Sequence, residues 1–400
     1  MLVINARTVS EALSQGLHAI RVHGIAKPSR VGDVLVMPRP VLTEYSDPTN
    51  RVLLSPQRDA NPFFHVMEAL WMLAGRNDLP WLVRFNSRFA SYSDDGGQTQ
   101  PGAYGYRWRN YFGHDQLQDI ILELKQNPDT RRCVLAMWDG GARASWDETG
   151  HGVRLKEYEQ PGDFYAAVGG SADVPCNTHA YFDTIDGRLN MTVCCRSNDI
   201  IWGAYGANAV HFSFLLEYLS IMTGIPMGVY RQFSNNYHLY TNIVSRDELM
   251  PLSRDVLSND TYLVREGPAG VRLVPRVPAI RKVPLVTAPE LFDGDLHKFM
   301  RYSDTGLQLD AETYYEPFMR GVAVPMYNAY RLFKEKRYDE AIDIADTIRA
   351  EDWRMACVQW LERRRLKAKV NAEPFTEVVK QDDSDIVAAF GMERKSDGAA

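Results

Sequence analysis

One cysteine stands in the position best suited to nucleophilic chemistry. Cys176 follows Pro175 in a loop that feeds a predicted strand, where a side chain can reach a cleft. A buried structural thiol is the alternative, because free cysteines are among the most buried residues. A nucleophilic cysteine needs positive neighbours that hold it as the thiolate. Arg131, Arg132 and Arg196 lie near predicted strand ends and can supply that charge.

The same arginines suit an anionic ligand. Guanidinium presents a planar fork of donors, and Ser197 next to Arg196 adds a hydroxyl. Paired arginines such as Arg131 and Arg132 are otherwise solvated or salt-bridged. Arginine and serine together at a strand end favour a phosphate-bearing ligand.

Four further polar residues could act on a ligand. Glu68 lies within an apolar helical stripe, where a carboxylate is costly unless it is paired, lines a cavity or does acid–base work. His238 and Tyr240 alternate along an extended segment and project to one side, so they either pack or offer two polar tips to a ligand hydroxyl. Asn208 opens a predicted helix, and N-capping is its default role.

Helices and a hairpin must position these residues. Periodicity and capping signals predict helices over residues 61–75, 115–127 and 208–223. The clearest β signal is a hairpin over residues 178–196 that turns at Asp186-Gly187. In its second strand Leu189, Met191, Val193 and Cys195 are predicted to share one face. Further strands are predicted over residues 132–138 and 227–233.

Composition excludes several classes of protein. The chain has 400 residues, a formal net charge of −6 and 45% hydrophobic residues, which is ordinary soluble globular composition. The mild acidity argues against dedicated nucleic-acid binding, and no apolar run approaches the roughly 20 residues that span a bilayer. The amino-terminal residues lack the basic and apolar regions of a secretion signal, so we expect a cytoplasmic protein.

Several common site motifs are missing from the sequence. Five cysteines, none in a CxxC pair, favour neither a disulfide framework nor a metal site. The phosphate loop GxxxxGK[ST], the dinucleotide-binding GxGxxG and the metalloprotease HExxH motifs are also absent. The sequence therefore gives no support for kinase, Rossmann or zinc-protease functions.

The order of the chemical residues resembles one superfamily. Glu68 stands in MEALWMLAG, Tyr104 in GAYGYRWR and Cys176 after proline, and Arg196 begins RSND. Together with Arg131-Arg132, Gly203, Asn208 and the HLY segment at 238–240, this order resembles the thymidylate synthase superfamily. That superfamily includes pyrimidine-nucleotide hydroxymethylases, many of them from phages. The resemblance covers roughly residues 25–245.

The resemblance implies a fold and a division of the chain. We expect an α/β (α+β) fold, in which a thymidylate-synthase-like mixed β-sheet packs with helices. The catalytic domain would span residues 1–290, with a surface insertion at 139–172. Charged helical patterning predicts an appended, mainly helical region over 291–370, and the polar tail 371–400 is expected to be partly disordered.

The resemblance also implies a reaction. Family members transfer one carbon from 5,10-methylenetetrahydrofolate to C5 of a pyrimidine deoxynucleoside monophosphate, without a metal. Cys176 would add to C6 of the base and so make C5 nucleophilic. A phosphate cage would lower the pKa of Cys176. Its expected members are Arg30, Arg131, Arg132, Arg196 and Ser197. The tandem arginines would come across the interface of a homodimer.

Other family roles map onto single residues of this sequence. Glu68 resembles the proton-relay carboxylate, which acts through water at the base carbonyl. Tyr104 resembles the tyrosine that helps to remove the C5 proton. Asp199 and Gly203 match positions on the folate side of the cleft. His238 and Tyr240 match the pair that binds the sugar hydroxyl.

Asn208 matches the residue that reads the base. Its amide can accept from uracil N3–H and donate to O4, which favours dUMP over dCMP. Asn198 is an alternative base reader, because the GAYGAN segment at 203–208 is one residue longer than the usual G-x-P-F-N. Asn177 stands where ordinary thymidylate synthases carry histidine, and Asn236 stands where they carry aspartate.

These departures cluster around the cleft, where the fate of the shared exocyclic methylene is decided. Hydride from the folate gives a methyl group and dihydrofolate, whereas water gives a hydroxymethyl group and tetrahydrofolate. A dry, closed cleft favours hydride, and an ordered water favours hydroxylation. We therefore expect a dUMP hydroxymethylase. The alternatives are a methylating thymidylate synthase, a dCMP hydroxymethylase, a non-catalytic nucleotide-binding scaffold, or an interaction protein that uses residues 325–370.

Overall fold

The fold is taken from a computed structural model of the chain. It describes residues 1–29, 32–141, 162–243, 261–265, 271–275 and 281–372. Arg30, most of the predicted insertion and nearly all of the predicted tail lie outside the described residues, so the expectations for them stay predictions.

A mixed eight-stranded sheet forms the centre of the described chain. Its strands are β1 (Leu2–Ala6), β2 (Ile25–Ser29), β3 (Gly32–Val36), β4 (Val41–Tyr45), β5 (Val134–Ala136), β6 (Asn177–Ile185), β7 (Arg188–Asp199) and β8 (Met227–Tyr240). The order is β1-β4-β8-β7-β6-β5, with β3 also paired to β8 and β2 to β3. β7 and β8 run parallel, and β6 is antiparallel to β7. A separate pair follows, β9 (Thr261–Arg265) and β10 (Val271–Pro275).

Helices cover the sheet and extend the fold toward the carboxyl end. They are α1 (Val9–His23), α2 (Pro62–Leu73), α3 (Leu79–Val83), α4 (Tyr104–Tyr106), α5 (Gln116–Gln126), α6 (Asp163–Val168), α7 (Asn208–Thr223), α8 (Pro289–Asp304), α9 (Val324–Lys334), α10 (Tyr338–Asp346) and α11 (Glu351–Ala372). A π-helical turn, Arg107–Tyr111, continues α4. The expected α/β class and the C-terminal helical region are confirmed.

The predicted hairpin is present as β6 and β7. Asp186 and Gly187 have φ values of 53° and 69°, the left-handed pair that a two-residue turn of type I′ needs. The four residues predicted to share one face of β7 are all buried. Because β7 pairs with β8, Asn198 and Asp199 at the end of β7 lie opposite Tyr237 and His238.

The C-terminal helices share one continuous hydrophobic core with the sheet domain. Trp360 of α11 packs edge-on against Phe63 of α2, with ring centroids 5.5 Å apart. The ring of Trp353 of α11 lies 6.2 Å from that of Phe214 of α7, with the two ring planes tilted by 33°. Charged residues on these helices suggest a solvated surface, but their apolar faces are buried against the helices that carry the site.

The carboxyl end of the predicted insertion is anchored. Asp163 is buried and forms a two-pronged ion pair with Arg107, with both oxygen–nitrogen distances 2.7 Å. Within the described part of the chain, no helix is long and apolar enough to cross a membrane.

Candidate active site

Cys176 lies at the turn that leads into β6 and is half-buried. Its carbonyl oxygen accepts from the Arg196 backbone N–H over 2.8 Å, which joins the turn to β7. The Tyr104 hydroxyl accepts from the backbone N–H groups of Cys176 and Asn177, each over 3.1 Å. The fold thus brings together three residues that are far apart in sequence.

Arg196 is the arginine that lies next to the thiol. Its Nε donates to the Pro175 carbonyl over 2.9 Å and its Nη2 to the Val174 carbonyl over 3.0 Å, so it braces the loop before Cys176. The side chain remains exposed and can still meet a ligand.

The expected lowering of the Cys176 pKa is wrong for the single chain. Burial raises the pKa of this thiol, Arg196 opposes the shift, and Asp173 adds to it. The desolvation of the thiolate outweighs one guanidinium that already binds two carbonyl groups. A thiolate in the resting site would need further positive charge.

The remaining members of the predicted phosphate cage are more dispersed. Arg131 and Arg132 are exposed directly before β5, and their guanidinium groups form no hydrogen bond within the described residues. Ser197 is half-buried, and its carbonyl accepts from the Cys195 thiol over 3.1 Å. Arg30 lies outside the described residues. The structure therefore places only Arg196 and Ser197 at the end of β7 near Cys176.

Asn208 does not cap α7, which corrects its default role. It has helical dihedral angles, and Ala207 occupies the cap position. The side chain is buried and forms hydrogen bonds to two strands of the sheet. Its Oδ1 accepts from Asn177 over 3.0 Å, and its Nδ2 donates to Asn198 over 3.0 Å. Both candidate base readers therefore belong to one hydrogen-bonded group.

The longer segment before Asn208 is absorbed as a π-helical turn, Ile200–Ala207. A π turn takes up one extra residue and is frequent at functional sites. Gly206 breaks the turn with φ −124° and ψ −110°. A Cβ on Gly203 would lie 2.5 Å from Asn198 Oδ1, so glycine leaves the room that the asparagine pair needs. The candidate folate-side glycine thus also contacts the base-reading group.

Glu68 is buried beside two histidines that the sequence analysis missed. His211 Nε2 lies 3.2 Å from Glu68 Oε2, and the His65 and His211 rings stand edge to face with centroids 6.5 Å apart. Burial raises the pKa of Glu68 well above its usual value and lowers the pKa of His211 to about 3. The site therefore holds a neutral carboxyl–imidazole pair. The spacing in the sequence could have identified both histidines. His65 lies one helical turn before Glu68, and His211 lies one helical turn after Asn208.

Asp199 caps the π-helical turn. Its Oδ1 accepts from the Trp202 backbone N–H over 2.6 Å, whereas its Oδ2 is buried without a hydrogen-bond partner in the described chain. Burial raises the pKa of Asp199, and His238, directly opposite on β8, lowers it. The Trp202 side chain is exposed, and the Arg58 guanidinium lies 5.0 Å from its ring centroid. The Asp199 Oδ2 atom could therefore accept a hydrogen bond from a ligand.

His238 and Tyr240 end β8 next to this corner. Their rings stand edge to face, with centroids 5.1 Å apart, and His238 is buried while Tyr240 is half-buried. The two residues therefore share a face of β8, as alternation predicts.

The chain is similar to known enzymes over most of its length. It is 42% identical over 370 residues to a deoxyuridylate hydroxymethyltransferase of Pseudomonas phage M6, which covers 91% of this chain and 95% of that protein. A deoxyuridylate hydroxymethyltransferase of Delftia phage PhiW-14 is 32% identical over 68% of this chain and 70% of its own length. A thymidylate synthase of Symbiobacterium thermophilum is 28% identical over 47% of this chain and 62% of its own.

The thymidylate synthase family model matches residues 17–259. That range includes Glu68, Tyr104, Cys176 and Asn208, the residues around which the described site is built. The expected superfamily is confirmed, and the chain belongs to the thymidylate synthase family.

Proposed function

We propose that this protein is a folate-dependent dUMP hydroxymethylase. The observation that carries the proposal is the position of Cys176 between Tyr104, which binds its backbone, and Asn177, which binds the Asn208 amide. A nucleophile and a reader of the base edge therefore belong to one rigid unit. Similarity to two phage deoxyuridylate hydroxymethyltransferases supports the choice of substrate and product.

Each residue has a defined task in this proposal. The Cys176 thiolate adds to C6 of the pyrimidine, and the electron pair of the C5–C6 bond moves toward the C4 carbonyl. C5 then takes up a carbon at the oxidation level of formaldehyde, which methylenetetrahydrofolate supplies. Loss of the C5 proton, with Tyr104 nearby, and departure of tetrahydrofolate leave an exocyclic methylene on C5 while Cys176 remains bound to C6.

The polar interior of the site favours water as the final reactant. Glu68 Oε2 and His211 Nε2 are buried and form no aligned hydrogen bond in the described residues, so together they can hold a water or a base carbonyl. Water adds to the exocyclic methylene, and the Cys176 thiolate then leaves C6, which restores the C5–C6 double bond. The overall products are 5-hydroxymethyl-dUMP and tetrahydrofolate, and the atoms balance without an oxidant or reductant.

The corner at Asp199 fits the folate. The buried Oδ2 atom, which has no hydrogen-bond partner among the described residues, can accept from N–H groups of the pterin, and the exposed Trp202 follows three residues later in the chain. We assign Asp199 and Gly203 to this side of the site. Arg196, Ser197, His238 and Tyr240 then remain for the nucleotide phosphate and sugar.

A product assay tests the proposal. The protein is incubated with methylenetetrahydrofolate and either dUMP or dCMP, and the nucleotide is analysed by mass spectrometry. We expect a gain of one CH2O unit and no dihydrofolate absorbance. Gain of CH2 together with dihydrofolate would identify a methylating synthase, and unchanged dUMP and dCMP would refute one-carbon transfer altogether.

We also propose a homodimer in which Arg131 and Arg132 reach the partner's phosphate. Their exposure before β5 supports this arrangement, because charged groups that are open to solvent and unpaired among the described residues can bind an anion across an interface. Mixing an Arg132→Ala variant with a Cys176→Ser variant should restore activity in mixed dimers, in which one site has both residues. If the mixture regains no activity, the arginine does not act across the interface.

A further inference from the structure

A continuous chain of side-chain amides runs through the site on both sides of Asn208. Asn177 Nδ2 donates to Asn208 Oδ1, and Asn208 Nδ2 donates to Asn198 Oδ1, each over 3.0 Å. Beyond them, Gln232 Nε2 donates to Asn177 Oδ1 over 3.0 Å, and Asn198 Nδ2 donates to Ser234 Oγ over 2.8 Å. All five residues are buried, and every donation runs in the same direction.

Asn208 keeps one donor and one acceptor after these bonds. A carboxamide nitrogen has two hydrogens and the oxygen two lone pairs, and the chain uses one of each. Uracil presents a donor at N3 beside an acceptor at O4, whereas neutral cytosine presents an acceptor at N3 beside a donor at N4. One orientation of the Asn208 amide therefore complements uracil, and the flipped orientation complements cytosine.

The neighbours oppose a flip of Asn208 alone. The flipped amide would set its nitrogen against Asn177 Nδ2 and its oxygen against Asn198 Oδ1, so donor would meet donor and acceptor would meet acceptor. Sites that leave buried polar groups unpaired in this way discriminate by about 10⁴-fold. The donor-to-acceptor direction of this series of side-chain hydrogen bonds thus controls which base can bind.

We propose that Asn177 and Asn198 act as positioning residues that hold Asn208 in the uracil-reading orientation and so select dUMP over dCMP. The inference rests on the proposed function, because it concerns how that reaction chooses its base. It also gives a role to Asn177, which stands where ordinary thymidylate synthases carry histidine.

One substitution should reverse the direction of the hydrogen bonds on both sides of Asn208. In Asn177→Asp the new carboxylate can only accept, so Gln232 still donates to it, but Asn208 must now turn its nitrogen toward residue 177. Asn198 can follow by turning its own nitrogen toward Asn208, and the Ser234 hydroxyl can donate to Asn198 Oδ1. The reversed arrangement is fully hydrogen-bonded, so the substitution need not disrupt the fold.

Asn198→Asp is the matched control. It places the same carboxylate on the opposite side of Asn208, where it accepts from Asn208 Nδ2 as Asn198 does now. This variant should keep the uracil-reading orientation. The two variants have the same composition and the same added charge. An effect of the carboxylate on the reactivity of Cys176 acts on both nucleotides alike and therefore cancels in the dUMP-to-dCMP ratio.

The experiment compares the two variants with the wild type in mildly alkaline buffer, so that the new carboxyl is ionised. Calorimetry measures the affinity for dUMP and for dCMP, and kcat/KM is measured for each nucleotide. We expect the dUMP-to-dCMP ratio to fall at least about 100-fold in Asn177→Asp and to be maintained in Asn198→Asp. A wild-type ratio in a folded Asn177→Asp variant, or equal shifts in both, would overturn the proposal.

Asn177→Leu provides a second test if the aspartate variant does not fold. It removes the donor to Asn208 Oδ1 without imposing the reverse direction, so the ratio should fall toward one, and an unchanged ratio would again overturn the proposal. Wild-type protein that binds neither monophosphate would contradict the proposed function instead. Normal product formation with unaltered selectivity in the variants would contradict this inference alone.

Discussion

The hydroxyl oxygen of Tyr104 lies 3.1 Å from the backbone nitrogen of Cys176 and accepts its hydrogen bond. The same oxygen accepts from the next backbone N–H, so one tyrosine holds the turn that carries the thiol. Burial raises the pKa of Tyr104 well above its usual value, and the negative charge of a Cys176 thiolate would raise it further. The tyrosine is therefore a neutral hydroxyl that can both position the cysteine and relay a proton.

Replacement of Tyr104 by phenylalanine should lower kcat by about 100-fold or more, since it removes both the acceptor of two backbone N–H groups and a hydroxyl near C5. The nucleotide affinity should change little. Steady-state kinetics and calorimetry separate the two effects. Tyr106→Phe on the same helical turn is the control and should keep wild-type kinetics. Equal losses in both variants would point to a packing effect.

Reactivity of Cys176 should rise steeply with pH. Burial raises the pKa of its thiol, so the thiolate fraction in the free protein is small near neutrality and grows as the pH increases. Alkylation by iodoacetamide, followed by peptide mass spectrometry, measures this directly. Bound nucleotide should protect the residue from the reagent. A rate at Cys176 that stays constant across neutral and alkaline pH would contradict the raised pKa.

Cys176→Ser should abolish turnover while nucleotide binding is preserved. The half-buried Cys194 on β7 offers the matched control, and its serine variant should remain active. Calorimetry with dUMP and the product assay give the two readouts. Activity of Cys176→Ser at the wild-type level would remove this residue from the nucleophile role.

The buried His211 should make the fold sensitive to acid. Burial lowers its pKa from 6.5 to about 3, so the unfolded chain binds a proton between these values and the folded chain does not. Stability is then present above pH 6.5 and is lost as the pH falls toward 3, by about 1.4 kcal/mol per pH unit.

His211→Gln should remove that dependence. The difference in unfolding free energy between wild type and variant should therefore shift in favour of the variant as the pH is lowered. Urea unfolding at several pH values measures the difference, and groups common to both proteins cancel to first order. A difference that does not vary with pH would show that His211 is protonated equally in both states.

Asp59 should link the C-terminal helix to the site domain energetically. Its carboxylate binds Arg363 Nε over 3.0 Å and also pairs with Arg364, both on α11. Arg363 is buried, and Asp59→Asn replaces the carboxylate that pairs with it and with Arg364 by a neutral amide, so the substitution should destabilise the fold by about 2 kcal/mol. Denaturant unfolding followed by tryptophan fluorescence checks this.

The control for that variant is Asp339→Asn. Asp339 of α10 pairs with Arg365 of α11. The Asp339 side chain is largely exposed, so the loss of its charge should cost under about 1 kcal/mol. Because α11 shares a core with α2 and α7, both variants should unfold in one transition. A separate transition of the C-terminal helices would contradict a single cooperative unit.

The local elements of this protein could be predicted from the sequence because they depend on neighbours in the chain. Helix α7 was predicted at its observed bounds, Asn208–Thr223, since a mostly apolar run ends at a glycine. The β6–β7 hairpin followed from Asp186-Gly187 and strict alternation. Cys176, Tyr104 and Glu68 were identified from short motifs and their order along the chain.

Tertiary structure decided how those residues act together. Asn177, Asn198 and Gln232 lie on three adjacent strands, and only sheet pairing with the π-helical turn before α7 brings their amides to Asn208. His211, which lies beside Glu68, is likewise brought there by the packing of α7 on α2. Residue type and spacing thus identified the chemical groups. Their hydrogen-bond partners and their protonation states depend on burial and on contacts between distant segments, which only the tertiary structure determines.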